Sequence, residues 1–170
     1  MHILIATCSI VGAILYFTAT PQVVDRSVSG KVTSASTSKK SSAQCLAENI
    51  YYEAGVESTS GKYAVAQVTM NRLKSGRWGN SVCSVVYSYK QFSWTLNAGR
   101  EQPSGAAWRE SQKIAKQVLA GKQVNGLTTA LYYHAGYVSP VWKKKSAKIA
   151  KIGQHIFYSA AKIQNTPKGA

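Results

Sequence analysis

Acidic residues are scarce in this chain, six against 21 Lys and Arg in 170 residues, yet three of them stand close together. Glu48, Glu53 and Glu57 lie in "CLAENIYYEAGVE", residues 45–57. Carboxyl groups are the main acid–base chemistry this sequence offers. The histidines His2, His134 and His155 share no H-x-x-H or C-x-x-C spacing with one another or with the cysteines, so no metal site is expected. A Ser or Cys triad lacks an acid partner, G-x-S-x-G is absent, and no Gly-rich phosphate loop occurs, so no cofactor is expected either. Glycoside cleavage needs a proton donor for the leaving oxygen, and a carboxyl in partly apolar surroundings keeps its proton for that task.

The element that must position these groups is a helix over residues 43–54, stopped by Gly55. Counting about 100° per residue, Leu46, Ile50, Ala54 and Ala47 share one face. Glu48 falls on the far side and is expected in solvent. Glu53 falls about 20° from Leu46, on the lip of the apolar face, where the negative end of the helix dipole disfavours its ionised form. The same position also suits an ordinary surface or capping glutamate.

The rest of the body reads as mainly α. Residues 60–76 form a second helix, apolar around most of its circumference and so central, with Gln67 and Asn71 as an i, i+4 polar pair. A third is expected in "NSVCSVVYSY", with Asn80 as its N-cap. "KQFSWTLN" reads as a loop or short strand. Residues 104–122 are an amphipathic helix with Trp108, Gln112, Ala115, Val118 and Leu119 at its spacing and Gly121 closing it. "TALYYHAGYVSPVW" favours extended structure and loop, and "SAKIAKIGQHIFYSAAK" helix or turn.

Charge and the N-terminus bear on location. The net charge is +15, of which the first 40 residues hold four Lys or Arg and one Asp, leaving +12 in the body. Such a field draws a polyanion: nucleic acid, anionic lipid headgroups or an acidic wall polymer. No nucleic-acid recognition module matches, and nucleic acid is not expected as a partner. "ILIATCSIVGAILYFTAT", residues 3–20, carries no charge and at about 1.5 Å per residue nearly crosses a hydrocarbon core. An uncleaved membrane anchor is the first expectation and a cleaved signal peptide the second, since the basic n-region and a good cleavage site are missing. The Ser/Thr/Lys-rich run that follows is a linker. The expected organisation is an N-terminal transmembrane segment over 1–22, a linker over 23–43, a catalytic domain over 44–160 and a tail over 161–170. With the body exported, a Cys45–Cys83 disulfide is the economical reading, worth roughly 3–4 kcal/mol by loop closure; two buried free thiols are the alternative.

The ordered blocks "CLAENIYYEAGVE", "GKYAVAQVTMNRLKSGRWGNSVCSVVYSYKQFSW", "ALYYHAGYVSPVW" and "IGQHIFY" resemble the SleB-type cell wall hydrolase family, which includes spore-cortex-lytic enzymes and phage endolysins. The similarity spans residues 45–158, and both cysteines fall where exported relatives carry a pair. The resemblance implies a lysozyme-like, mainly helical α+β domain with a small β element. It implies cleavage of peptidoglycan glycan strands between N-acetylmuramic acid and N-acetylglucosamine, often as a lytic transglycosylase. The family's catalytic glutamate lands on Glu53. Glu57 also matches, but Gly55-Val56 replaces the usual Arg-Gly between them, which leaves its role open. Asn71, Gln91, Phe92, Ser93, Tyr132, Tyr133 and His134 are candidates to line the sugar groove, with core packing the alternative for each. The weakly apolar anchor resembles that of signal-arrest-release endolysins. A monomer in the cell envelope, tethered to the inner membrane or secreted if cleaved, is expected. An amidase or wall peptidase, or a non-catalytic wall-binding protein, are the competing readings.

Overall fold

A computed structural model describes residues 39–160. The N-terminal transmembrane segment, all of the linker before residue 39 and the tail lie outside the described residues. Within them, no helix is long and apolar enough to cross a membrane.

Four helices and a three-stranded antiparallel sheet make the body, an α+β arrangement. Helix α1 (Ser42–Ala54) starts where Ser41 accepts from the Gln44 amide and Gln44 returns a bond to the Ser41 amide. That capping box satisfies two of the amides a helix start leaves unpaired, so helix begins inside the segment expected to be linker. Helix α2 (Thr59–Ser75) ends at Gly76, whose φ of 69° is the left-handed cap that closes the last turn onto the Leu73 carbonyl. Helix α3 (Val82–Tyr87) is capped by Ser81, not Asn80: Ser81 accepts from the Ser84 amide and Ser84 reciprocates. Helix α4 (Gly105–Leu119) buries Ser111, Ile114, Ala115 and Val118. Gln112, expected on that face, is exposed, and Ser111 takes its place by bonding back to the Ala107 carbonyl at 2.8 Å.

Two stretches differ from expectation. Within "KQFSWTLN" the ends are loop as expected, but Ser93–Leu96 form a 3-10 helix, held by the Thr95 amide and hydroxyl on the Phe92 carbonyl. The C-terminal run is a β-hairpin rather than helix. Strand β1 (Tyr132–Ala135) and strand β2 (Ala147–Ile152) flank strand β3 (His155–Ser159), in the order β1-β3-β2. Gly153 makes the tight β2–β3 turn possible with a φ of +57°. A second 3-10 helix (Val141–Lys145) connects β1 to β2.

Helix α2 is buried on nearly all sides because it serves two cores. Ala66 joins Leu46, Ile50, Val86, Phe92, Trp94 and Ile114 between the helices. Ala64 and Val68 meet Leu127, Ala130 and Phe157 beneath the sheet. Cys45 and Cys83 are bonded, tying α1 to α3 with their Cα atoms 5.2 Å apart.

Candidate active site

Glu53 sits in the last turn of α1, a turn that carries no basic residue to offset the helix's negative end. Its Oε2 accepts a hydrogen bond from the Tyr133 hydroxyl at 2.8 Å, while Oε1 accepts none among the described residues. Burial pushes the carboxyl's pKa up; the Tyr133 hydrogen bond and the positive charge of Arg72 pull the other way, and burial prevails. Tyr133 is itself held well above the ordinary phenol value by its burial and by the neighbouring Glu53. It therefore remains the donor of that bond at any physiological pH. The side chain of Glu53 is half-buried, so the carboxyl is sheltered but reachable.

The surroundings come from four elements. Asn49, one turn before Glu53 and fully buried, donates to Thr69 of α2 at 3.0 Å and accepts from the Trp94 indole at 3.2 Å. These bonds fix α1 against α2 and the first 3-10 helix. Tyr52 stacks on Trp94 with ring centroids 4.5 Å apart. Arg72 lies buried over the rings of Phe92 and Trp78, and its Nε donates to the Leu131 carbonyl at 2.9 Å, which anchors the entry to β1. Its Nη1 is buried with no partner among the described residues. Burial lowers the Arg72 pKa, opposed by Tyr133, Glu53 and Tyr132. A sheltered carboxyl, a phenol donor and a guanidinium are thus gathered at the junction of α1, α2 and β1.

The residues expected in a sugar groove do not all arrive there. Tyr133 touches Glu53, and Phe92 is buried under Arg72. Gln91, half-buried, and the exposed Ser93 flank Phe92 with no side-chain hydrogen bond to another described residue. Strand alternation sends Tyr132 and His134 to the opposite side of the sheet from Tyr133. There His134 stacks on Tyr158 and exchanges a hydrogen bond with its hydroxyl at 3.0 Å. Asn71 is buried in the structure: its amide donates to the carbonyls of Leu127 and Ala130, both at 2.8 Å, pinning the loop before β1.

The other two carboxylates of the opening cluster are also placed. Glu48 is not solvated as expected: Lys40 pairs with it at 2.8 Å and the Tyr87 hydroxyl bonds to it, leaving its side chain 14% exposed. Both elements lie too far along the chain for a helical wheel to show them. Glu57 lies under the β2–β3 turn, 7% exposed, its two oxygens 3.3 and 3.2 Å from the Gln154 amide and Oε1 3.7 Å from His155 Nδ1. An open cavity of about 580 Å³ lies beside Glu57 rather than Glu53. Among the described residues no three His, Cys, Asp or Glu side chains converge as a metal-binding group.

Comparison with known proteins agrees with this frame. The profile of the family described as cell wall hydrolase matches residues 56–158, beginning three residues beyond Glu53. The spore cortex-lytic enzyme of Oceanobacillus iheyensis is 30% identical over 118 residues, 67% of this chain and 40% of the relative. That of Bacillus subtilis is 29% identical over 116 residues, covering 66% of this chain and 35% of the relative. The chain thus spans about two fifths of the length of these curated relatives. The crystal structure of the catalytic domain of the Bacillus cereus SleB protein superposes with a TM-score of 0.59 at 27% identity, covering 69% of this chain and 89% of that one. The catalytic domain of the germination-specific lytic transglycosylase SleB from Bacillus anthracis gives 0.57 at 25% identity, covering 73% and 98%. With the family profile matching more than half its length, this chain belongs to the cell wall hydrolase family.

Proposed function

We propose that the protein degrades peptidoglycan by cleaving the glycosidic bond between N-acetylmuramic acid and N-acetylglucosamine, as a lytic transglycosylase with Glu53 as its single acid–base group. The observation that carries this reading is the carboxyl of Glu53, whose protonated form is favoured by burial while Tyr133 holds one oxygen and leaves the other without a hydrogen bond among the described residues. In the first step Oε1–H gives its proton to the glycosidic oxygen. The bond from that oxygen to C1 of the muramic residue breaks, the electron pair stays on the leaving oxygen, and C1 becomes oxocarbenium-like. In the second step the ionised Glu53 takes the proton of the muramic C6 hydroxyl as O6 bonds to C1. The product carries a 1,6-anhydro ring, no water is consumed, and Glu53 ends protonated.

Each residue near Glu53 then has a task. The carboxyl is uncharged before the first step and charged after it. Tyr133 and Arg72 favour the charged form, so they stabilise the state that develops as the bond breaks. Glu57 has both oxygens turned to the Gln154 amide, which suits a clamp on the hairpin better than a second reacting carboxylate. A transglycosylase needs only one, since the sugar supplies its own nucleophile.

For location, residues 3–20 hold the chain at the membrane. The body lies on the wall side because the substrate is there, against the Arg26 and Lys31 that follow the segment and by themselves favour the opposite orientation. A mature protein lacking residues 1–20 by mass spectrometry would replace that tether with a cleaved signal peptide. For catalysis, Glu53→Gln should abolish release of soluble muropeptides while wall binding and the folded circular dichroism spectrum persist. Release at the wild-type rate would end the assignment.

A further inference from the structure

The sheet has one face against α2 and one turned away from it. Tyr133 and Phe157 point to α2; Tyr132, His134 and Tyr158 point the other way. Among the described residues Trp142 caps that outer face, packing 5.5 Å from Tyr158 and 5.7 Å from His134, while Trp78 lies edge-on 6.0 Å from Tyr132. Trp142 belongs to the 3-10 helix Val141–Lys145, which buries none of its residues. The loop leading to it and its first residue expose apolar side chains: Tyr137 is 87% and Val141 84% exposed. A small protein exposes single apolar residues freely, but a contiguous tip of them marks a contact surface.

The same face is cationic. Lys143, Lys144 and Lys145 follow Trp142 directly. In β2, Lys148 pairs with Tyr158 and Lys151 with Ile156, and Tyr158 and Ile156 are two apart on β3. The register shift between Lys148 and Ala150 inserts an extra residue, so two lysines three apart both stand on the outer face. None of these five lysines is ion-paired among the described residues, and residues 111–170 contain no Asp or Glu.

We infer that this face docks on an anionic phospholipid bilayer, with the Tyr137–Val141 tip in the headgroup boundary, Trp142 at its level and the lysines on lipid phosphates. The charge would serve a phosphate polymer equally well. The apolar tip decides between them, because Val141 gains nothing from a hydrated polymer and is removed from water by a bilayer interface. Lysines at such a surface each strengthen association by roughly fivefold. The inference depends neither on Glu53 nor on residues 3–20, although a tether would raise the local concentration of the face at the membrane.

The test uses the full chain incorporated into vesicles of brominated phosphatidylcholine with or without phosphatidylglycerol. Tryptophan quenching is compared between the wild type and Trp142→Phe, so that the difference reports Trp142 alone. With phosphatidylglycerol present, the difference spectrum should be quenched and blue-shifted, and high salt should reverse it. Lys144→Glu with Lys145→Glu, both at exposed positions, should weaken this docking at least about tenfold. Val141→Ser should also weaken it while leaving the charge of the face unchanged. Retention of the chain on phosphatidylcholine alone reports the N-terminal tether separately. Absence of Trp142 quenching in anionic vesicles overturns the inference. Quenching of equal size in neutral vesicles also overturns it. A Trp142 spectral change with soluble polyphosphate but not with vesicles overturns it in favour of an anionic polymer.

Discussion

Gly153→Ala tests whether Glu57 is a clamp or a second reacting carboxylate. A Cβ at position 153 would stand 2.0 Å from Glu57 Oε2, and the backbone there has a φ of +57°. Two costs follow. An L residue held in the left-handed region costs roughly 1–2 kcal/mol. The Glu57 side chain can swing aside, but it is 7% exposed and would give up its hydrogen bond from the Gln154 amide. A hydrogen bond to a charged group contributes roughly 1.5–3 kcal/mol. The sum is about 2.5–5 kcal/mol, a large part of the stability of a single domain. Denaturant unfolding with an unchanged m-value measures it. In a Glu57→Ala background the second cost is already spent, so the same substitution should cost only roughly the 1–2 kcal/mol of backbone strain. Equal costs in the two backgrounds would refute the contact between turn and carboxylate. Glu57→Gln should keep glycan cleavage at temperatures where it remains folded; loss of cleavage in the folded protein would refute the clamp.

Three further outcomes follow from the geometry. Tyr133→Phe removes a bond that favours the ionised carboxyl, so the limb on which activity falls with rising pH should move to higher pH, and turnover should drop by roughly tenfold, about 1.4 kcal/mol; an unmoved limb in the pH–rate profile contradicts the role of Tyr133. Glu53→Gln should raise stability at neutral pH, because the folded pKa lies above the ordinary 4.5, so the protonated form's contribution is complete below 4.5 and is lost as pH rises through the folded value; melting curves of the two proteins should converge in acid and separate at neutral pH, and coincidence throughout would show that burial does not act on Glu53. Cys83→Ser opens a loop with a sequence separation of 38 and should cost about 3–4 kcal/mol, read as a shift of the denaturation midpoint that reductant reproduces in the wild type; a midpoint insensitive to reductant contradicts it.

The helices could be read in the chain because their signals are local: Ser41 and Gln44 cap α1, Gly76 closes α2, and a 3.6-residue spacing marks α4. The hairpin could not. In "AKIAKIG" Ile149 and Ile152 stand three apart, as do Ala147 and Ala150, which imitates a helix face. The bulge between Lys148 and Ala150 is what shifts the strand's alternation and hides it. Glu53 was legible as a carboxyl on an apolar lip, but its partners were not: Tyr133 is 80 residues away and Arg72 sits on a helix whose whole circumference reads as core. Tyr132, Tyr133 and His134 are adjacent in sequence, but strand alternation puts only the middle one beside Glu53. Asn71 is polar and buried, a signature that fits a loop clamp as well as a sugar ligand, and its two carbonyl partners come from a loop with no pattern of its own.

The most direct measurement is mass analysis of the soluble products that the purified protein releases from peptidoglycan, run beside Glu53→Gln. Muropeptides ending in 1,6-anhydro-N-acetylmuramic acid from the wild type, and none from the variant, are the predicted result. Reducing ends, free stem peptides, or anhydro products from both proteins would contradict a transglycosylase that works through Glu53.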